Sequence, residues 1–191
     1  MLFAKDLAQL GRLVAQAQGW PAAKAFKSAA LGDAALAAVS QSALGLLQVL
    51  PAATSAQMSA ALAVQLERVI DAPVQVVAGT LAVERAVVLG TDGAFDAADV
   101  CDPAFGGHAW LMVGETIIDI ALFRLAYSAQ GPARLARHVD LVFGPGKALF
   151  VDGWKHAARL GLSYRPQIAL TADAVTLLMG QAHAAIVAMR T

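Results

Sequence analysis

Cysteine is almost missing from this chain: Cys101 stands alone among 191 residues, so no internal disulfide framework holds the fold. An excess of charge is missing too, with fourteen Lys and Arg set against fourteen Asp and Glu. A nucleic-acid groove or a site for an anionic membrane leaves a basic excess, and the balance argues against both partners. Aromatic residues make up only 6 %, while hydrophobic content reaches 58 % and is rich in alanine. Segments rich in Ala and Leu point to packed helices more than to lipid spans. From Ala34 to Leu66 charge is absent altogether. Ser40, Gln41, Ser42, Gln48, Pro51, Thr54, Ser55 and Gln57 interrupt that run, so no window of about twenty residues is cleanly apolar. A buried helix, a loop and a second buried helix are expected there. Met1 to Gly19 carries Lys5, Asp6 and Arg12 spread through it, unlike the basic head and apolar block of a signal peptide. The expectation is a soluble cytoplasmic protein. The length suits one domain, helical to about residue 70 and sheet-bearing from about 73, closed by a C-terminal helix.

Periodicity places the elements. Leu7, Leu10, Val14 and Ala17 line one face of a helix over Leu2–Gln18, which Gly19-Trp20-Pro21 ends, with Trp20 as a core or hinge aromatic. Ala22 to Leu31 reads as a second short helix, and Asp33 as the cap of a third that runs to Val49 and is closed by Pro51. Thr54 with Gln57 three residues on is a capping box, opening a helix to Ile70 with Leu62, Leu66, Val69 and Ile70 as its stripe. Asp71-Ala72-Pro73 breaks it. Val74 to Val83 and Arg85 to Leu89 read as strands, and Thr91 to Asp102 as an acidic loop or short helix without calcium-loop spacing. Phe123 to Ala136 is irregular or helical. His138–Phe143 and Lys147–Val151 look like short strands around the turn Gly144-Pro145-Gly146, which lacks the spacing of a phosphate loop. Trp154–Leu162 is ambiguous. Thr171 to Met189 is a capped helix with Ala174, Leu177, Leu178 and Ile186 on its apolar face.

The chemistry gathers at Gly106-Gly107-His108-Ala109-Trp110-Leu111-Met112-Val113-Gly114-Glu115-Thr116-Ile117-Ile118-Asp119. Period-two alternation and the Gly114-Glu115 break make it a β-hairpin. His108 and Asp119 then lie side by side, and a carboxylate beside an imidazole fixes the tautomer a general base requires.

In the order helix, strand, His-bearing strand, Asp-bearing strand, the chain resembles the transglutaminase-like branch of the papain-like cysteine peptidase superfamily. That family opens a buried helix with G-x-C-x-x-x-A, continues through a leucine-rich turn and an Arg to G-[IV]-P-A-R-x-V-x-G, and later carries H-A-W-x-E-V and the triad Asp. Ala60, Leu66, Arg68, Pro73, Val77 and Gly79 fall on the first motif, and His108-Ala109-Trp110 with Asp119 on the second. The match spans roughly residues 54–122. It implies an α+β papain-like fold, with N-terminal helices packed on an antiparallel sheet, and acyl transfer or amide hydrolysis. The thiolate is stabilised by the helix N-terminus, and the His moves the proton while the Asp orients it.

Gap-free alignment places Ala56 where the family has its cysteine, and a methyl group is no nucleophile. Ser55, one residue earlier, and Cys101, seven residues before His108, are the candidate replacements. Otherwise the site has lost its nucleophile and binds without cleaving. The resemblance implies ligand contacts at Ala56 and Gln57 on the helix start, and at Gly107 and Trp110 beside His108. A peptide or small-molecule amide or acyl ligand is the expected partner, and a homo-oligomer is left open. No cofactor is expected, and His138, His156 and His183 show no metal-ligand spacing.

Overall fold

The computed structural model describes residues 3–50, 53–90 and 93–188, with side chains from residue 7 onward. Four helices come first: α1 (Phe3–Gln18), α2 (Trp20–Ser28), α3 (Asp33–Val49) and α4 (Ser55–Leu66). Strands β1 (Gln75–Val83) and β2 (Ala86–Leu89) follow, then the short α5 (Ala97–Cys101) and the hairpin β3 (His108–Val113) and β4 (Thr116–Asp119). After α6 (Leu122–Tyr127) and α7 (Ala133–Phe143) come β5 (Phe150–Gly153), α8 (Trp154–Arg159), β6 (Leu162–Ala169) and α9 (Ala172–Ala188). The architecture is α+β, with an antiparallel half-barrel sheet.

β1 is the spine of that sheet. It pairs with β6 from Val77 to Val83, with β3 from Gln75 to Gly79 and with β2 from Leu81 to Val83. β4 and β5 continue outward from β3. Every residue of β1 and of β3 is buried, because helices cover both faces of the sheet. On one face Ala109, Leu111 and Val113 pack with Val39 and Leu46 of α3, Leu62 and Leu66 of α4 and Leu178 of α9. On the other, Trp110 and Met112 pack with Leu10 and Val14 of α1, Phe26 of α2, Leu135 of α7 and Trp154 of α8. Gln9 and Gln18 of α1 donate to the carbonyls of Pro166 and Leu170, tying the first helix to β6 and to the residue that follows it.

The capping box at Thr54 is present in both directions: Thr54 Oγ1 accepts from the Gln57 amide, and Gln57 Oε1 accepts from the Thr54 amide. Such a cap is worth about 1 kcal/mol and fixes Ser55 as the first helical residue. The helix stops at Leu66, short of Ile70, so Val69 lies beyond it and is 56 % exposed.

Other expectations need correction. Trp20 opens α2 on the surface, 71 % exposed, because Pro21 behind it suits the first turn of a helix better than a break. Gly32, rather than Asp33, occupies the cap position of α3. His138–Phe143 is the C-terminal half of α7: Leu135, His138 and Val139 are buried at helical spacing, and Leu141 and Val142, which looked strand-like, are exposed. β5 begins at Phe150, so Lys147 to Leu149 precede it. Leu177 faces outward from α9. β6 has no counterpart in the sequence reading, although Leu162, Tyr164 and Pro166 alternate inward along it. The closing role given to Pro51 falls outside the described residues. Among the described residues no single helix is long and apolar enough to cross a membrane; α2 and α3 reach that length only as a pair bent by 108°.

Candidate functional site

β3 and β4 pair antiparallel, with Leu111 opposite Ile118 and Met112 opposite Ile117. Carried on by one residue, that register sets Asp119 opposite Trp110 and diagonal to His108 on the same face. His108 Nε2 lies 2.6 Å from Asp119 Oδ2, and both side chains are fully buried. As a carboxylate Asp119 only accepts, so the proton of this bond sits on Nε2 and the lone pair of the neutral ring on Nδ1.

Asp119 is saturated. Its Oδ2 also accepts from the Tyr164 hydroxyl at 2.9 Å, and its Oδ1 accepts from the amides of Ala121 and Leu122 at 3.0 and 2.9 Å. Burial, then the Asp119 charge and hydrogen bond, push the Tyr164 phenol well above its ordinary range, so it stays a donor. Around the pair stand aromatic rings: Trp110 is 6.0 Å from His108 and near parallel to it, and Tyr164 is 6.2 Å from His108 and 5.1 Å from Trp110. Two buried nitrogens in this group, His108 Nδ1 and Trp110 Nε1, have no hydrogen-bond partner among the described residues. Leaving such a group unpaired costs about 1–3 kcal/mol, and it calls for an explanation.

Helix α4 meets the hairpin at Ala109. The Ala109 amide donates to Ser55 Oγ at 3.2 Å, and Ser59 Oγ donates to the Ala109 carbonyl at 3.1 Å. The first two turns of α4 are therefore pinned to the residue after His108. Ahead of that helix, Arg124 of α6 donates to the carbonyls of Leu50 and Ala53, and burial lowers its guanidinium pKa.

The candidate residues separate in this geometry. Ser55 spends its oxygen on the Ala109 amide, as a first-turn residue held by the capping box, rather than on His108. Ala56 is 1 % exposed, a methyl in the core beside α3 and β3. Gln57 completes the cap and reaches Gln181 Oε1 of α9, whose own amide group donates to the Cys101 carbonyl. Cys101 lies under α9, its thiol against the Ala174 carbonyl at 3.8 Å and its pKa raised by burial. That is the core face of α4 and α9, whereas the His108 ring lies among Trp110 and Tyr164. Gly107 leads into β3 with the Phe105 ring packed where a Cβ would stand. Tyr164, Ser59 and Arg124 were not foreseen; the alternation of Leu162, Tyr164 and Pro166 was the available signal for the first. Among the described residues no three His, Cys, Asp or Glu side chains gather as a metal site.

No protein-family model matches the chain, no curated protein matches it, and no solved structure matches it.

Proposed function

We propose that the chain is a divergent relative of the transglutaminase-like and papain-like proteins that has lost its nucleophile and binds a peptide, amide or acyl ligand. The observation that carries this reading is the orientation of His108: Asp119 holds Nε2, and Nδ1 is left buried without a partner among the described residues. A general base is built in this way, with one nitrogen fixed and the other free for a proton. Two further observations support it. A capped helix start is bonded to the strand at Ala109, and it carries Ala56 where the resemblance calls for cysteine.

His108 would hydrogen-bond the ligand through Nδ1. Without a thiolate no acyl-enzyme forms, and the ligand leaves unchanged. The alternative, a hydrolase using Ser55, is less well supported, because the Ser55 oxygen already accepts from Ala109.

Installing the missing thiol tests the reading. Ala56 is buried, so an inert core position predicts slow alkylation with a raised thiol pKa in Ala56→Cys, whereas the family scaffold requires alkylation with iodoacetamide along a pH profile centred below the ordinary thiol value of about 8.5. His108→Ala in that background should return the profile towards 8.5. An ordinary profile with His108 intact would remove the family scaffold from consideration. Fluorophosphonate labelling of the wild type, lost in both Ser55→Ala and His108→Ala, would replace the binding reading with the hydrolase.

A further inference from the structure

The turn that ends β1 and the face of α7 that carries the exposed Arg134, Arg137 and Leu141 border a second, half-open place with chemistry. A cavity of about 280 Å³ is lined by Val83, Glu84, Arg134, Arg137, His138 and Leu141. This is just below the roughly 300–1,000 Å³ that small-molecule sites occupy, a size for a small ligand only. Arg134 and Arg137 are three apart on α7, so their side chains stand on one helix face. Neither pairs with a carboxylate within 4 Å among the described residues. His138 between them and the core is only 7 % exposed, and its Nε2 donates to the Leu160 carbonyl at 2.9 Å. The ring is thus held at the cavity wall in one tautomer when neutral, with Nδ1 as the remaining acceptor.

The backbone around this cavity is costly to make. Glu84 and Arg85 form the two-residue turn between β1 and β2, both at positive φ (50° and 74°), where Asn-Gly is the usual pair. Side-chain-bearing residues in that region cost about 1–2 kcal/mol each. Gly161, at φ +85°, has no room for a Cβ, which would stand 2.8 Å from His138 Cε1 and 3.7 Å from Glu84 Cγ. The Glu84 amide donates to the Gly161 carbonyl at 2.9 Å, fixing the strained turn over the cavity. Strain kept at a charged cavity points to use.

We infer that this cavity is a binding site for a small divalent oxyanion, a phosphate monoester or a dicarboxylate, held by Arg134 and Arg137. Two guanidiniums on one face suit a doubly charged head group, each offering paired N–H donors. Val83 and Leu141 supply apolar walls for the rest of a small ligand. Glu84 opposes the anion and limits its affinity. The site is independent of His108.

Calorimetric titration of the full chain with inorganic phosphate, and separately with succinate, at constant ionic strength tests the assignment. Saturable binding of phosphate identifies a phosphate ligand, and saturable binding of succinate alone identifies a dicarboxylate. Arg134→Gln and Arg137→Gln are each expected to weaken binding about tenfold, the order of one charge-assisted hydrogen bond. Glu84→Gln should tighten it several-fold, and His108→Ala should leave it unchanged. The inference is overturned if neither anion binds saturably, if the Arg134→Gln/Arg137→Gln protein binds as well as the wild type, or if Glu84→Gln weakens binding.

Discussion

Two His–Asp pairs in this protein have the same length and opposite surroundings. His108 and Asp119 meet at 2.6 Å with both side chains fully buried, on neighbouring strands of the sheet. His156 and Asp152 also meet at 2.6 Å, four residues apart where β5 runs into α8, with 57 % and 22 % of their side chains exposed. The second pair is local, and its histidine looks out into water. The first is assembled from separate strands, and its carboxylate is shared with Tyr164 and two backbone amides. Distance does not distinguish them. What distinguishes them is the number of groups that lose their only partner when one member is removed.

The largest effect should come from Asp119→Ala, which strands His108 Nε2, the Tyr164 hydroxyl and the amides of Ala121 and Leu122 in the interior. A loss of about 3–5 kcal/mol is expected in urea unfolding, against less than about 1 kcal/mol for Asp152→Ala. Equal losses would dissolve the contrast. Tyr164→Phe sharpens it, removing one donor for about 1–2 kcal/mol. That variant also carries a pH signature. The phenol's pKa is raised in the fold, so its contribution is whole below the unfolded value of about 10 and falls away as pH rises towards the higher folded value. The wild type should lose stability above about pH 10 more steeply than Tyr164→Phe. The smallest effect tests Cys101: its buried thiol should alkylate more slowly than a free thiol, and His108→Ala should not change that rate.

The local pair and the assembled pair also differ in how they read in the sequence. Hairpin β3–β4 was legible because its turn, its alternation and both chemical residues lie within one stretch. The capping box of α4 was legible for the same reason. Tyr164 was not, since it joins Asp119 across 45 residues and sits on a strand that takes its place only by pairing with β1. The strand reading of His138–Phe143 failed because β-branched residues near the exposed end of a helix resemble a strand until packing chooses the face. Cys101 is near His108 in sequence, yet the loop between them turns it under α9. Nearness along the chain was the wrong measure there.

Helix α6 has only six residues, but both ends of the candidate site are fastened to it. The amides of Ala121 and Leu122 at its start hold Asp119 Oδ1, and within the same turn Arg124 donates to the carbonyls of Leu50 and Ala53 in front of α4. A substitution that unseats α6 would therefore reach the carboxylate beside His108 and the residues ahead of α4 together.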